Sequence, residues 1–298
     1  MISIIIPRYY SQLTISECLR SLTAQKTEEK FEILVINSSS DETHKIVREY
    51  FPTVQFIQLK KRVFAGAARN IGIQKSQGDR VAFIDADCIP SSDWLSKIIS
   101  WHRKGYRVVG GSIANGSHEN IFSKAEYPLE ILEFSPRNAK REVKFVSAAN
   151  CSFSREIFDN QGLFPDIRAG EDLVLCHKIA EKGEKIIFDP DIKVSHKNEI
   201  NFKQYVKKQI MHGKHSYEIR QMEKLSGSFM NNPLVLSLLL PLFPFIRAMR
   251  VIWRSIHLKN KLMYDIMSTF PLFFLGCVMW SSGYAKGYAE QLLNRKEL

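Results

Sequence analysis

Cysteine is scarce in this sequence, and what there is forms no pattern. Five cysteines, Cys18, Cys88, Cys151, Cys176 and Cys277, are scattered over 298 residues, odd in number and with no C-x-x-C pair. This excludes a disulfide framework and a cysteine-based zinc site, and it points to a reducing compartment. Acidic residues are the minority charge: 31 Asp and Glu against 42 Lys and Arg, a formal net charge of +11. Such an excess favours an anionic partner, whether nucleic acid, an acidic membrane surface or a phosphorylated substrate. Nucleic acid is disfavoured, because the chain has neither C₂H₂ spacing nor heptads joined to a basic region. G-x-G-x-x-G is missing as well, so dinucleotide binding has no support. There is no internal repeat or low-complexity tract. The chain enters an apolar run at Ile2 with no basic segment and no leader-like hydrophobic stretch before it, so no signal peptide is expected.

What is present is alternation. Apolar, strand-like runs at 2–6, 31–36, 54–59 and 79–84 are separated by helical patterns at 16–25, 41–50 and 65–75. Continuous apolar strands between helices predict a mostly parallel sheet covered on both faces, an α/β fold. Ligands of such sheets bind beyond the carboxyl ends of the strands. Pro7 to Tyr10, Asn37 to Asp41, and Asp85 with Asp87 all fall there, so three strand ends converge on one crevice. Further on, 108–111, 144–147, 185–188 and 192–195 read as strands and 173–182 as an amphipathic helix. Residues 202–224 read as a long basic helix interrupted at Gly213.

Several residues there could carry chemistry. Asp85-Ala86-Asp87 directly follows an apolar strand. Two carboxylates at a sheet mouth suit a hard divalent cation that also carries phosphate oxygens; the plainer alternative is an acidic turn. Asn37-Ser38-Ser39-Ser40-Asp41 can cap a helix or grip a base or ribose. Gly66 and the small residues around it allow close backbone approach, and Arg69 can pair with a diphosphate or sit on the surface. Glu171-Asp172 opens a helix, where acids are favoured by the macrodipole, or supplies a general base. His196 becomes a third metal ligand only if it lies near Asp87.

Taken in order, Ser3-Ile4-Ile5-Ile6-Pro7, Glu32 to Asn37, Gly66 to Gly72, Gly78-Asp79 with Asp85-Ala86-Asp87, Asn150 to Phe153, Glu171-Asp172 and Val194-Ser195-His196 resemble a family 2 glycosyltransferase of GT-A fold. The resemblance covers roughly residues 1–220 and rests on order and spacing, since each piece is short. It implies a Rossmann-like catalytic domain and inverting transfer of a sugar from a nucleotide-diphosphate donor, with Mg²⁺ or Mn²⁺. By the same resemblance Asp87, and Asp85 through water, hold metal and diphosphate, and His196 is a further metal ligand. Asp172 is the catalytic base with Glu171 beside it, and Pro7, Tyr9, Asn37, Ser39, Gly66 and Arg69 belong to the donor site. Two departures from the pattern matter. Asn37 stands where Asp is usual, which leaves the nucleobase open, and Pro7-Arg8-Tyr9-Tyr10 replaces Pro-Thr-Tyr-Asn, where the bulk of Arg8 and Tyr10 is expected to reshape that edge of the donor pocket. A nucleotidyltransferase, or a non-catalytic membrane-surface protein keeping the fold, remains as an alternative.

After about residue 225 the composition changes, which sets the expected domains at 1–225 and 226–298. Residues 229–246 lack charge but contain three prolines; 247–261 hold five basic residues and no acid; 266–285 are again uncharged. Eighteen residues make a helix of roughly 27 Å, short for a membrane core of about 30 Å. Placing the basic stretch outside would oppose the positive-inside rule. The expectation is therefore C-terminal hydrophobic helices, the first interfacial or re-entrant and the second either long enough to span or also lying in the interface. They would hold the active site at the cytoplasmic face of the cell membrane, near a membrane-bound or lipid-linked acceptor. Two buried helices of a soluble domain are the alternative.

Overall fold

The computed structural model describes residues 1–10, 12–222, 232–258 and 262–294. In chain order the elements are β1 (Ile2–Arg8), α1 (Ile15–Thr23), β2 (Phe31–Asn37), α2 (Thr43–Tyr50), β3 (Gln55–Gln58), α3 (Ala65–Lys75), β4 (Arg80–Ile84), β5 (Cys88–Pro90), α4 (Trp94–Arg103), β6 (Val108–Asn115), α5 (Ile121–Glu130), β7 (Arg141–Val143), β8 (Asn150–Ser154), α6 (Arg155–Gln161), α7 (Glu171–Glu181), β9 (Ile186–His196), α8 (Phe202–Met222), α9 (Pro233–Leu239), α10 (Phe243–His257), α11 (Met263–Ser268) and α12 (Phe270–Asn294). They form two compact units. One joins Met1–Gly116 to Phe134–Lys197; the other joins Ser117–Glu133 to the chain from Asn198 onward. The division expected at residue 225 is thus replaced by a discontinuous one, because α8 and α5 pack on α12 within the second unit.

The first unit is built on one sheet of order β3-β2-β1-β4-β8-β6-β9-β5, with β7 also on β9. β1, β2, β3 and β4 run parallel, as their apolar runs require. Beyond β4 the sheet is mixed rather than mostly parallel. β8 enters antiparallel to both β4 and β6, and β5 and β7 pair antiparallel with β9. Residues 144–147, expected as a strand, are not one; the short β7 lies just before them. The two strands expected at 185–188 and 192–195 are one element, β9, whose pairing with β6 jumps from Gly111–Asp189 to Ser112–Lys193. Buried Asn150 holds this irregularity. Its Nδ2 donates to the carbonyls of Ser112 and Ile192 (2.8 Å each), and its Oδ1 accepts from Trp94 Nε1 (2.7 Å). Gly111 has no room for a side chain there: a Cβ would lie 2.1 Å from the Ile192 carbonyl oxygen.

The core of this unit anchors the end of β4. Phe83 meets Phe164 at 5.2 Å and Phe153 at 5.9 Å, both edge-on, and is fully buried with Ile5, Leu34 and Phe153. Edge-to-face rings at such spacing add to area burial. Asp85 follows two residues later, so the carboxylates sit on a fixed strand end.

In the second unit, α8 runs unbroken through Gly213, which the sequence suggested as an interruption. The glycine serves packing instead. A Cβ on Gly213 would come within 1.8 Å of the Trp280 carbonyl oxygen, and one on Gly283 within 2.0 Å of the Ile210 carbonyl. The backbones of α8 and α12 therefore touch. Phe273, Cys277 and Tyr284 of α12 are fully buried at helical spacing. The stretch expected as one apolar segment at 266–285 is divided at Thr269 between α11 and α12. Among the described residues no helix is long and apolar enough to cross a membrane, so the expectation that 266–285 is long enough to span is not met. Residues 229–231 of the first apolar stretch and 259–261 of the basic stretch lie outside the described residues.

Candidate active site

The carboxyl ends of β1, β2 and β4 lie side by side along one end of the sheet in the first unit, because β1 pairs in parallel with both neighbours. At the end of β4, Asp85 and Asp87 flank buried Ala86. β5 begins at once and pairs Cys88 with His196 across β9. That pairing brings His196 Nε2 to 3.3 Å from Asp87 Oδ2, the proximity on which its candidacy as a ligand depended. Ligand atoms of Asp87, Cys88 and His196 all fall within 4.8 Å of one another. Burial pushes the Cys88 thiol well above its ordinary range, so it stays protonated and is a poor partner for a hard cation. Asp87 and His196 fit a divalent ion that accepts oxygen and imidazole donors, Mn²⁺ being such an ion.

Asp85 points elsewhere. Arg69 of α3, almost fully buried, donates from Nη2 to Asp85 Oδ1 (2.8 Å) and from Nη1 to Glu171 Oε1 (2.5 Å). Arg69, expected either to pair with a diphosphate or to sit on the surface, is buried and bridges two carboxylates, a strut between the end of β4 and the start of α7. Gly66 serves the same junction, since a Cβ there would lie 2.9 Å from the Pro165 carbonyl oxygen and 3.1 Å from Glu171 Cγ.

Gly170 launches α7 from a left-handed conformation (φ 81°), which glycine adopts without strain. The two acids that follow are sorted by burial. Glu171 is buried, and burial first, then repulsion from Asp172, raises it to about 7 against the pull of Arg69. Asp172 is half-buried; its Oδ2 accepts from the Ala148 N–H (3.0 Å) and its Oδ1 from the Leu173 N–H (2.8 Å). Enclosure by protein, then the Asp87 charge, also raises Asp85, again opposed by Arg69.

The strand ends of β1 and β2 are joined by a side chain that the sequence reading treated only as bulk. Arg8 is buried and donates to Asn37 Oδ1 (2.6 Å), Ser39 Oγ (2.7 Å) and both oxygens of Asp41 (2.7 and 2.5 Å). Asn37 Nδ2 donates in turn to the Ser39 carbonyl (2.8 Å) and Gln58 Oε1 (2.7 Å). Asn37 and Ser39, expected to contact the nucleotide, are buried with their side chains engaged in this knot. The physical reason is the pair of departures itself: a cation at position 8 meets a neutral amide at 37, and the carboxylate it needs is Asp41, held below its usual range by Arg8. Pro7 is buried, whereas Tyr9 and Tyr10 are exposed, their rings 4.6 Å apart edge-on. Tyr10 holds φ at 53°, a strained value for a residue with a side chain. Arg62 stacks over Tyr9 at 4.3 Å and, with Arg168, lines a cavity of about 360 Å³. Neither arginine was singled out in the sequence; the one local hint was the basic run Lys60-Lys61-Arg62.

The model of "Glycosyl transferase family 2" matches residues 3–162. The glycosyltransferase AglE of Haloferax volcanii is 26% identical over 232 residues, 76% of either chain. The poly(ribitol-phosphate) beta-glucosyltransferase of Bacillus spizizenii is 25% identical over 203 residues, 64% of this chain but only 31% of its own length. Among solved structures, the mannosyltransferase PcManGT of Pyrobaculum calidifontis, in complex with GDP-Man and Mn²⁺, superposes with a TM-score of 0.63 at 18% identity, covering 96% of this chain and 86% of that one. S. aureus TarS 1–349 with UDP-GlcNAc gives 0.57 at 15% identity, covering 98% and 92%. These last two establish a GT-A-like fold.

Proposed function

The chain belongs to glycosyl transferase family 2, and from that premise we propose that it transfers a sugar, with inversion, from a nucleotide-diphosphate donor to a hydroxyl of a membrane-bound or lipid-linked acceptor at the cytoplasmic face of the cell membrane. Family membership removes the nucleotidyltransferase alternative. The observation that carries the reading is the Arg69 bridge within one unit, which ties Asp85, beside the Asp87–His196 pair at the end of β4, to Glu171, beside Asp172 at the start of α7.

Asp87 and His196 would hold Mg²⁺ or Mn²⁺, which when bound neutralises charge on the departing diphosphate. Arg69 acts at one remove, fixing Asp85 and Glu171. Asp172 is the better base of the two neighbouring acids. Glu171 is buried and committed to Arg69, whereas Asp172 is half-buried and oriented by two backbone N–H groups. It would accept the acceptor's hydroxyl proton as that oxygen attacks the anomeric carbon. The bond from that carbon to the diphosphate oxygen breaks, and the nucleoside diphosphate leaves with the electron pair. A single displacement from the opposite face inverts the centre. GDP- and UDP-sugars, the ligands held by the two solved neighbours, are the donors to screen first. The membrane-side acceptor is supported by the +11 charge and by the exposed apolar residues of α10 described below.

Replacing Asp87 by Ala should abolish both transfer and Mn²⁺-dependent donor binding, read by nucleotide-sugar hydrolysis and titration calorimetry. Undiminished activity in that variant, or full activity in EDTA, contradicts the proposal.

A further inference from the structure

The second unit contains a cavity of about 230 Å³ with four arginines in its wall: Arg220 of α8, and Arg247, Arg250 and Arg254 of α10. Two acids face them, Glu130 and Glu133. Glu133 receives Arg254 Nε (2.8 Å), and Glu130 receives Gln209 Nε2 (2.8 Å) with Lys208 Nζ at 3.6 Å. The cluster is thus left with excess positive charge. Arg220 and Arg247 each keep a buried Nε with no hydrogen-bond partner. Arg247 lies over the Trp280 ring at 4.4 Å, donates to the Leu129 carbonyl through a long bond (3.3 Å) and hydrogen-bonds the Cys277 side chain. Burial, with the Arg250 charge adding to it, lowers Arg247 to about 10. A planar guanidinium fork that is desolvated and under-paired is suited to the oxygens of a phosphate.

The same helix carries a second feature. Leu242, Phe245, Met249, Trp253 and Ile256, at steps of three and four residues around α10, are all at least half exposed. No charge interrupts that stripe. At about 100° per residue, Arg250 lies roughly 100° round the helix from the middle of the stripe, and Arg254 and Arg247 roughly 140° and 160°. Tyr264 and Met267 of α11 are exposed as well. A helix with an apolar stripe on one face and arginines on faces turned away from it is suited to lie in a bilayer interface with its cations among anionic headgroups. A second copy of the chain is a poorer occupant, since a two-fold contact through α10 would bring like-charged arginines together on a molecule already at +11.

We propose that the arginine-lined cavity binds the phosphate of an anionic membrane lipid while the apolar stripe of α10 lies in the acyl boundary beside it. The inference deepens the membrane-side reading above and rests on it, but it is tested separately from sugar transfer. Flotation of the full chain with phosphatidylcholine vesicles, with and without phosphatidylglycerol, should show at least about tenfold tighter binding to the anionic vesicles, in line with the surface attraction of a few basic residues. R247Q/R250Q should remove that preference, and the gentler R250Q should reduce it. M249S/W253S should weaken binding to both vesicle types. Donor binding by each variant, measured in parallel, should be unchanged, so that failure of the lipid site is distinguishable from failure of the transferase reading. Equal binding to the two vesicle types would overturn the proposal. So would a tryptophan fluorescence response to inorganic phosphate that R247Q/R250Q abolishes, without vesicle preference, which assigns the site to free phosphate. A dimer in sedimentation that M249S/W253S dissolves, with no vesicle binding, would assign the stripe to a second copy.

Discussion

The two units solve the same problem, what to do with apolar and charged side chains, in opposite ways. In the sheet unit large apolar groups go inside and charges are matched at short range: Arg69 spans two carboxylates, and Arg8 meets Asp41 with both amino groups. The helical unit buries one face of α12 but leaves a row of apolar side chains outward on α10, with arginines beside it in excess of their acids. A charge matched inside its own fold fixes geometry; a charge left over waits for something to arrive. The sheet unit therefore reads as a preset reaction site, and the helical unit as a surface fitted to a partner.

The comparison is broken most forcefully at the core. Phe83→Ala should cost about 3–5 kcal/mol, the usual range for a fully buried aromatic, because its ring is enclosed by Phe153, Phe158 and Phe164. Urea unfolding measures it, and a loss under about 1 kcal/mol would show that β4 is not held by this cluster. A smaller effect is expected from pH. Glu171 binds its proton more tightly folded than unfolded, titrating near 7 instead of 4.5. Its contribution to stability is fully present below pH 4.5 and lost as pH rises through about 7. Asp85, raised too, acts in the same direction. Glu171→Gln should flatten the stability profile between those values, and an unchanged slope would contradict the burial argument. The smallest change belongs to the other unit. Met249→Ser, at an apolar residue 71% exposed, should alter stability by no more than about 0.5 kcal/mol. A larger cost would mean that the stripe is part of a packed core.

The parallel half of the sheet was legible because β1, β2 and β4 are short continuous apolar runs set between helical patterns. So was the crevice, since strand ends and acidic residues coincide at Asp85 and Asp87. The mixed half was less so. β5 is three residues long, and only its pairing with β9 puts His196 beside Asp87; no local periodicity encodes a contact over such a separation. Arg8 misled for the same reason, its partners lying 29 to 33 residues away. The domain boundary was sought where composition shifts. The fold divides instead at Ser117–Glu133, an inserted piece whose composition resembles its surroundings and whose α5 packs on α12. Gly213 looked like a helix break because glycine lowers helix propensity. What it serves is a backbone contact that only the packed pair of helices reveals.

The central claim is that the first unit separates two tasks, donor capture at Asp87 with His196 and proton removal at Asp172. Asp172→Asn tests it most directly, with donor affinity and turnover measured on the same preparation. The account predicts donor affinity within about twofold of the parent and turnover reduced by at least about 10²-fold, the scale of a lost general base. Donor affinity that falls as far as turnover would contradict it, placing Asp172 in the donor site and leaving Glu171 as the base.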